Sequence, residues 1–240
     1  MDKKGVDIAF PVRINKYLAL KGIASRREAD ELISKGMVHI NSRTAVLGDM
    51  VQKTDNVSTA RTLKKRVFRY FAYNKPRGIV TNSPQGDEKD VASSIRMPGV
   101  FPIGRLDKDT SGLLLLTDDR RITDSVLNPQ FEHEKEYHVS LNKAVSDGKL
   151  RMLERGIKIE RYRTKPAKVE RIGEKSFSLT LTEGKKHQIR RMCASIGASV
   201  TSLKRVRIMH IRLGSLKENT LRPLTEKEVS LLTATYTQSH

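Results

Sequence analysis

Asp107 and Asp109 stand two positions apart in a polar loop, Gly104-Arg105-Leu106-Asp107-Lys108-Asp109-Thr110-Ser111-Gly112, that feeds the apolar run Leu113–Leu116. Loops held by rigid strands are common homes for catalytic groups. Arg105 and Lys108 flank the carboxylates and favour their ionised form, which is the nucleophilic one. The ordinary alternative for such a stretch is a turn with solvated charges.

Two further segments carry chemistry. Lys135-Glu136-Tyr137 opens a strand, and Tyr137 offers a ring on which a base can stack, although a half-buried strand tyrosine is the commoner case. Glu183-Gly184-Lys185-Lys186-His187-Gln188-Ile189-Arg190-Arg191-Met192 reads as a turn and a basic cluster opening a helix. Neighbouring helical residues point about 100° apart, so of Arg190 and Arg191 one faces inward and the other meets solvent or phosphate.

The elements that must position these groups follow from pattern. In residues 13–58, Ile14, Tyr17, Leu18 and Leu20 recur at helical spacing until Gly22. Ser25 and Glu28 form a capping-box pattern before a second helix with Ala29, Leu32 and Ile33 on its apolar face, ended by Gly36. Val38-His39-Ile40 alternates like a short strand, and Asn41-Ser42 turns it. Residues 59–66 are polar and basic and read as a linker. Beyond them come strand candidates at Val67–Tyr73, Leu113–Leu116, Glu136–Leu141, Ala167–Arg171 and Phe177–Leu181, with a turn at Asn74-Lys75-Pro76-Arg77-Gly78. Helices are expected at Thr123–Leu127, Leu150–Arg155 and His187–Ser195. The mixture predicts an α+β fold with a mostly antiparallel sheet.

The chain has 240 residues, 46 Lys and Arg against 27 acidic residues, and a formal net charge of +19. Residues 161–220 alone carry fifteen Lys/Arg and four Asp/Glu. A field of this sign attracts polyanions, nucleic acid first. No apolar run approaches the roughly 18 residues of a spanning helix, and no apolar stretch follows the charged start as in a signal peptide. The single cysteine, Cys193, excludes an intramolecular disulfide and fits a reducing cytoplasm. With one Cys and no His pair at ligand spacing, no metal is expected.

Taken in order, Gly104-Arg105-Leu106-Asp107, Lys135-Glu136-Tyr137 and Gln188-Ile189-Arg190-Arg191-Met192 resemble the signature segments of the RsuA/RluB/RluE/RluF-type ribosomal RNA pseudouridine synthases. Asn74-Lys75-Pro76-Arg77-Gly78 is similar to that family's opening strand and turn. Residues 13–42 resemble the S4 RNA-binding domain that precedes its catalytic domain. The resemblance implies an S4-like domain over 12–58, a linker over 59–66, and a pseudouridine synthase domain over 67–234 with a mostly antiparallel mixed sheet flanked by helices. It implies a cofactor-free isomerisation of uridine in ribosomal RNA by a cytoplasmic monomer. Asp107 corresponds to the catalytic aspartate, Tyr137 to the residue stacking on the base, and Arg190 to the cation offsetting desolvation of the carboxylate. Arg105 is expected to fill the place vacated by the flipped base or to hold a neighbouring phosphate. Arg13, Lys16, Arg26, Arg27, Lys185, Lys186 and Arg191 are expected to grip RNA.

Phe101-Pro102-Ile103 and His133-Glu134 resemble the RluF-type branch, which points to large-subunit RNA, whereas Thr117-Asp118-Asp119 looks more RsuA-like, which points to the small subunit. A non-catalytic assembly factor of the same fold is the alternative from another class. One departure concerns the S4 turn, where Asn41 is followed by Ser42 instead of glycine, and the next strand, near Val57, is poorly marked.

Overall fold

The computed structural model describes residues 8–59 and 67–238. Apart from Thr59, the expected linker lies outside the described residues. The chain falls into two compact units, one reaching to Phe68 and taking in Asp119–Ser125 and Leu232–His240, the other formed by Arg69–Asp118 and Val126–Leu231.

In the first unit the sequence order is β1 (Val12–Arg13), α1 (Ile14–Leu20), α2 (Arg26–Ser34), β2 (Val38–Ile40), β3 (Arg43–Thr44), β4 (Met50–Val51) and β5 (Val57–Thr59). The capping box forms as its residues dictate: Ser25 Oγ accepts from Glu28 N–H and Glu28 Oε2 accepts from Ser25 N–H. Ile14, Leu18, Ala29, Ile33, Val38, Ile40 and Val51 close one core. β2 pairs with β3 through Ile40 and Arg43, leaving Asn41 and Ser42 as a two-residue turn, both at positive φ (49° and 71°). Such a turn favours Asn-Gly. Here the Asn41 side chain holds it, donating to Asp55 Oδ1 at 2.7 Å and accepting from Asn56 N–H at 2.9 Å. β5 exists and pairs with β2, so the weakly marked strand is made by its partner.

The second unit contains β6 (Tyr70–Lys75), α3 (Val91–Ile95), β7 (Phe101–Ile103), β8 (Ser111–Thr117), α4 (Ile122–Leu127), which begins in the first unit, β9 (Lys135–Leu141), α5 (Asp147–Glu154), β10 (Lys158–Ile159), β11 (Tyr162–Arg163), β12 (Lys168–Gly173), β13 (Ser176–Leu181), α6 (Gln188–Ser195), β14 (Val200–Ile208), β15 (Ile211–Arg212), β16 (Leu221–Pro223) and α7 (Glu226–Gln238), which ends in the first. A nine-stranded sheet runs β12-β13-β9-β14-β8-β6-β16, with β7 beside β8 and β15 beside β14. All its pairings are antiparallel except β14 with β8. Leu113–Leu116 are all buried because β8 is covered on both faces, which is why that run is uniformly apolar. Leu150 and Leu153 of α5 and Ile189, Met192 and Cys193 of α6 pack with Val139, Phe177, Leu179 and Leu203.

The structure corrects two expectations. The strand expected over Val67–Tyr73 runs instead from Tyr70 to Lys75, so Asn74 and Lys75 belong to the sheet and not to the turn. Asp118 holds Arg69 through its backbone N–H and its Nε, both at 2.8 Å, just before the strand begins. The longest strand, β14, has no counterpart among the expected strands; its mixture of basic and apolar residues hides the buried positions Leu203 and Arg205 on either side of exposed Lys204. Among the described residues no helix is long and apolar enough to cross a membrane.

Candidate active site

The Asp107 loop is clamped through its main chain. Thr81 Oγ1 donates to Leu106 C=O at 2.7 Å and accepts from Leu106 N–H at 2.9 Å. Gly78 N–H donates to Lys108 C=O at 2.9 Å. Lys75 Nζ donates to the carbonyls of Pro76 (2.8 Å), Ile79 (2.6 Å) and Lys108 (3.4 Å). Arg190 reaches across from α6, donating from Nη2 to Asp109 C=O at 3.0 Å and from Nη1 to Val200 C=O at 3.3 Å. Fixing the backbone by so many bonds leaves the Asp107 side chain free to face outward, and it is 41% exposed.

Arg190 was expected beside the Asp107 carboxylate. Its guanidinium holds loop carbonyls, and among the described residues it is His187 whose Nε2 lies 3.7 Å from Asp107 Oδ1, an ion pair only when the imidazole is protonated. His187 sits at the N-cap of α6 with φ +53°, a conformation that costs a non-glycine residue on the order of 1 kcal/mol or more. Lys108, expected beside the carboxylate, turns to Glu88 at 2.8 Å.

Beneath the loop the sheet register aligns four positions across β6, β8, β14 and β9: Lys75 opposite Gly112, Gly112 opposite Arg205, and Arg205 opposite Tyr137. Residues directly opposite share a face of the sheet. Gly112 is required there, since a Cβ would lie 2.2 Å from Arg205 C=O and 2.7 Å from its N–H. Tyr137 is half-buried and packs against the cluster of Tyr73, Leu106, Leu114 and Leu116, so its ring shares a core with the neighbour of Asp107. Lys75 is fully buried. Burial first, and Arg205's charge among lesser effects, bring its ammonium down to about 8, while the charges of Asp107, Asp109 and Glu218 act the other way. Lys135 is lowered too, by burial and then by Arg205.

Glu136, between Lys135 and Tyr137, accepts from Arg207 Nε at 2.7 Å and from Ser178 at 3.2 Å, and so ties β9 to both its neighbours. Arg105 is exposed, and no hydrogen bond or ion pair of its side chain is found among the described residues. Lys185 and Lys186 are exposed, with Lys185 Nζ 4.0 Å from the Tyr162 ring centre. Arg191, expected to meet phosphate, pairs with Glu160 at 3.1 Å. In the other unit Arg13, Lys16, Arg26 and Arg27 are all exposed, the last two in the first turn of α2. Sequence reasoning missed Lys75, His187 and Arg205; a cation in step with the buried residues of a strand was the signal for Arg205. Among the described residues, no three His, Cys, Asp or Glu side chains gather where they could hold a metal.

The family described as RNA pseudouridylate synthase matches residues 69–195, and the S4 domain family matches residues 12–57. The dual-specificity RNA pseudouridine synthase RluF of Salmonella typhi is 38% identical over 90% of this chain and 77% of its own length. The ribosomal large subunit pseudouridine synthase B of Bacillus subtilis (strain 168) is 36% identical over 92% of this chain and 96% of its own. A crystal structure of a pseudouridylate synthase superposes with a TM-score of 0.67 at 32% identity, covering 92% of this chain and 99% of that one.

Proposed function

The chain belongs to the RNA pseudouridylate synthase family with an S4 domain ahead of the catalytic one, and from that premise we propose that it isomerises a uridine of large-subunit ribosomal RNA at Asp107. The Bacillus subtilis relative, matched along nearly its whole length, is named for the large subunit. The Thr117-Asp118-Asp119 stretch does not argue for the small subunit, because its carboxylates have internal work: Asp118 holds Arg69, and Asp119 holds Arg121 at 2.7 Å.

The reaction breaks the C1′–N1 bond, with the electron pair leaving on uracil. The base turns, C5 joins C1′, C5 loses its proton and N1 gains one. Atoms and electrons balance within one nucleotide, so the proposal includes no cofactor. Asp107 acts at the sugar, as nucleophile or as electrostatic partner. Tyr137 stacks on the detached base, and Arg105, unengaged, enters the place the base has left, where unstacking costs a few kcal/mol. Arg190 positions the loop by its carbonyls. Arg13, Lys16, Arg26 and Arg27 hold RNA backbone, with Lys185 and Lys186 near the catalytic loop.

The division into an RNA-gripping module over 12–58, a linker over 59–66 and a catalytic domain over 67–234 belongs to the same proposal, as do a monomeric state and a cytoplasmic site. The observation that carries it is a half-exposed carboxylate on a loop fixed by main-chain bonds from three sides, above a sheet row holding Tyr137 and two buried cations. Pseudouridine mapping of total RNA from cells with and without the gene tests it. One large-subunit site should vanish and return with the wild-type gene but not with Asp107→Asn. A site lost from the small subunit, or no site lost at all, overturns the large-subunit or the catalytic reading respectively.

A further inference from the structure

Arg205 has no part in the chemistry of Asp107, Tyr137 and Arg105, yet its environment is costly. The residue is 4% exposed in the middle of a nine-stranded sheet. Its Nε donates to Leu113 C=O at 2.8 Å, and its Nη2 is buried without a hydrogen-bond partner. No carboxylate lies within ion-pair distance of it among the described residues. Lys75, two strands away in the same row, is buried as well and equally lacks an ion pair; the two cations feel each other. A buried, unpaired charge costs several kcal/mol. A fold that needed only packing here would do better with an apolar side chain. Such a cost is retained where a negative charge arrives from outside.

We propose that Arg205 is a further catalytic residue, whose guanidinium stabilises the negative charge that uracil carries once it has left C1′. The proposal rests on the reading of Asp107 as the group acting at the sugar and of Tyr137 as the stacking ring. Its geometry is set by register: Arg205 lies directly opposite Tyr137 on the same face, so a base stacked on that ring lies beside the guanidinium. When the C1′–N1 bond breaks, the electron pair spreads over N1 and the two carbonyl oxygens of the base. A fixed donor in a water-poor site favours that charge without reorganising. Arg205 stays protonated throughout and gives up no proton. The close approach of Gly112 to the Arg205 backbone fixes the strand that carries it.

The test compares two transcripts of large-subunit ribosomal RNA, one made with uridine triphosphate and one with 5-fluorouridine triphosphate. Fluorine withdraws electrons and makes the base a better leaving anion, so the fluorinated target needs less help. Single-turnover conversion is followed for the wild type, Arg205→Gln, Arg205→Lys and Asp107→Asn. With fluorine at C5 there is no proton to lose, so the fluorinated base, once joined through C5, takes up water at C6. Its gain of one water is read by mass spectrometry of nuclease digests. The uridine product, equal in mass to its substrate, is read after chemical derivatisation of pseudouridine. Loss of one preorganised donor typically costs about 100- to 1000-fold. Arg205→Gln should therefore fall about 100-fold on the uridine transcript and no more than about 10-fold on the fluorinated one, with Arg205→Lys between it and the wild type. A loss equal on both transcripts, or no loss, overturns the proposal, since a structural role does not distinguish leaving groups. Should Arg205→Gln fail to fold by circular dichroism, the same comparison on Arg205→Lys decides. Asp107→Asn should be inactive on both transcripts; if it is active, the Asp107 reading is the one that fails.

Discussion

The guanidinium of Arg190 donates to the backbone carbonyl of Asp109 at 3.0 Å and makes no ion pair with the carboxylate of Asp107, two residues earlier in the same loop. Arg190 thus acts on the loop's shape, while the His187 imidazole lies 3.7 Å from the Asp107 carboxylate and the Lys75 ammonium interacts with it electrostatically. A planar fork that spans two carbonyls, those of Asp109 and Val200, is not reproduced by a single ammonium. Arg190→Lys should lower the single-turnover rate by about ten- to a hundredfold, roughly 1.4–2.7 kcal/mol of barrier. Arg191→Lys, whose partner is the exposed Glu160, should stay within about threefold, the scale of a surface ion pair. Equal losses in the two variants would count against the loop-positioning role.

Asp107→Asn should remove pseudouridine formation to below a tenth of wild type, roughly 1.4 kcal/mol of barrier at the least, while RNA binding stays near normal. Asp109→Asn should cost little, because Asp109 is exposed, the backbone carbonyl that holds Arg190 is kept, and its charge is one of several acting on Lys75. Filter binding beside single-turnover conversion separates the two effects, and a fully active Asp107→Asn would refute the assignment.

Tyr137→Phe should keep more activity than Tyr137→Leu, since only the second removes the aromatic face. Base stacking on an aromatic side chain is worth about 1–3 kcal/mol. A severe and equal loss in both variants would point to the hydroxyl and away from stacking.

Activity should fall as pH rises through about 8, where the buried Lys75 loses the charge it holds near Asp107. Its effect on stability has the opposite sense. The unfolded lysine titrates near 10.5 and the folded one near 8, so between those values the unfolded chain binds the extra proton and this group's contribution to stability rises with pH. Below about 8 both states are charged and the buried ammonium is a constant cost. Lys75→Met should flatten the alkaline limb of the rate profile and remove that rise in urea unfolding between pH 8 and 10. A rate profile unchanged by the substitution would show that another group titrates.

Arg26→Gln with Arg27→Gln should weaken RNA binding and its salt dependence together. Both are exposed in the first turn of α2, where backbone N–H groups also favour phosphate. For every phosphate that is no longer neutralised, the slope of log affinity against log salt should become shallower by about 0.7–0.9. The rate at saturating RNA should stay within about threefold. An unchanged slope would take these two residues out of the RNA interface.

Features that neighbours along the chain decide could be read from residue order alone. Ser25 and Glu28 are three residues apart, and their capping box formed as the pattern required. The four leucines of β8 announced a buried strand, and Gly104–Gly112 announced the loop before it. Asp107 and Tyr137 were legible because residue type and flanking sequence marked them, and because the segments stand in a recognisable order. The tertiary structure decided where the cations go. Arg190 finds a carbonyl 81 residues away, and Arg205 finds one 92 residues away. The partner of a buried polar group is set by which strands pair and in what register, and a one-residue slip would turn Arg205 to the other face. Alternation along β14 can show that Arg205 points inward, but only the pairing of β14 with β8 and β9 puts it between Gly112 and Tyr137. Lys75 became part of the site for the same reason. Its chain neighbours Pro76 and Gly78 read as a turn, while its pairing with Gly112 keeps it in the sheet.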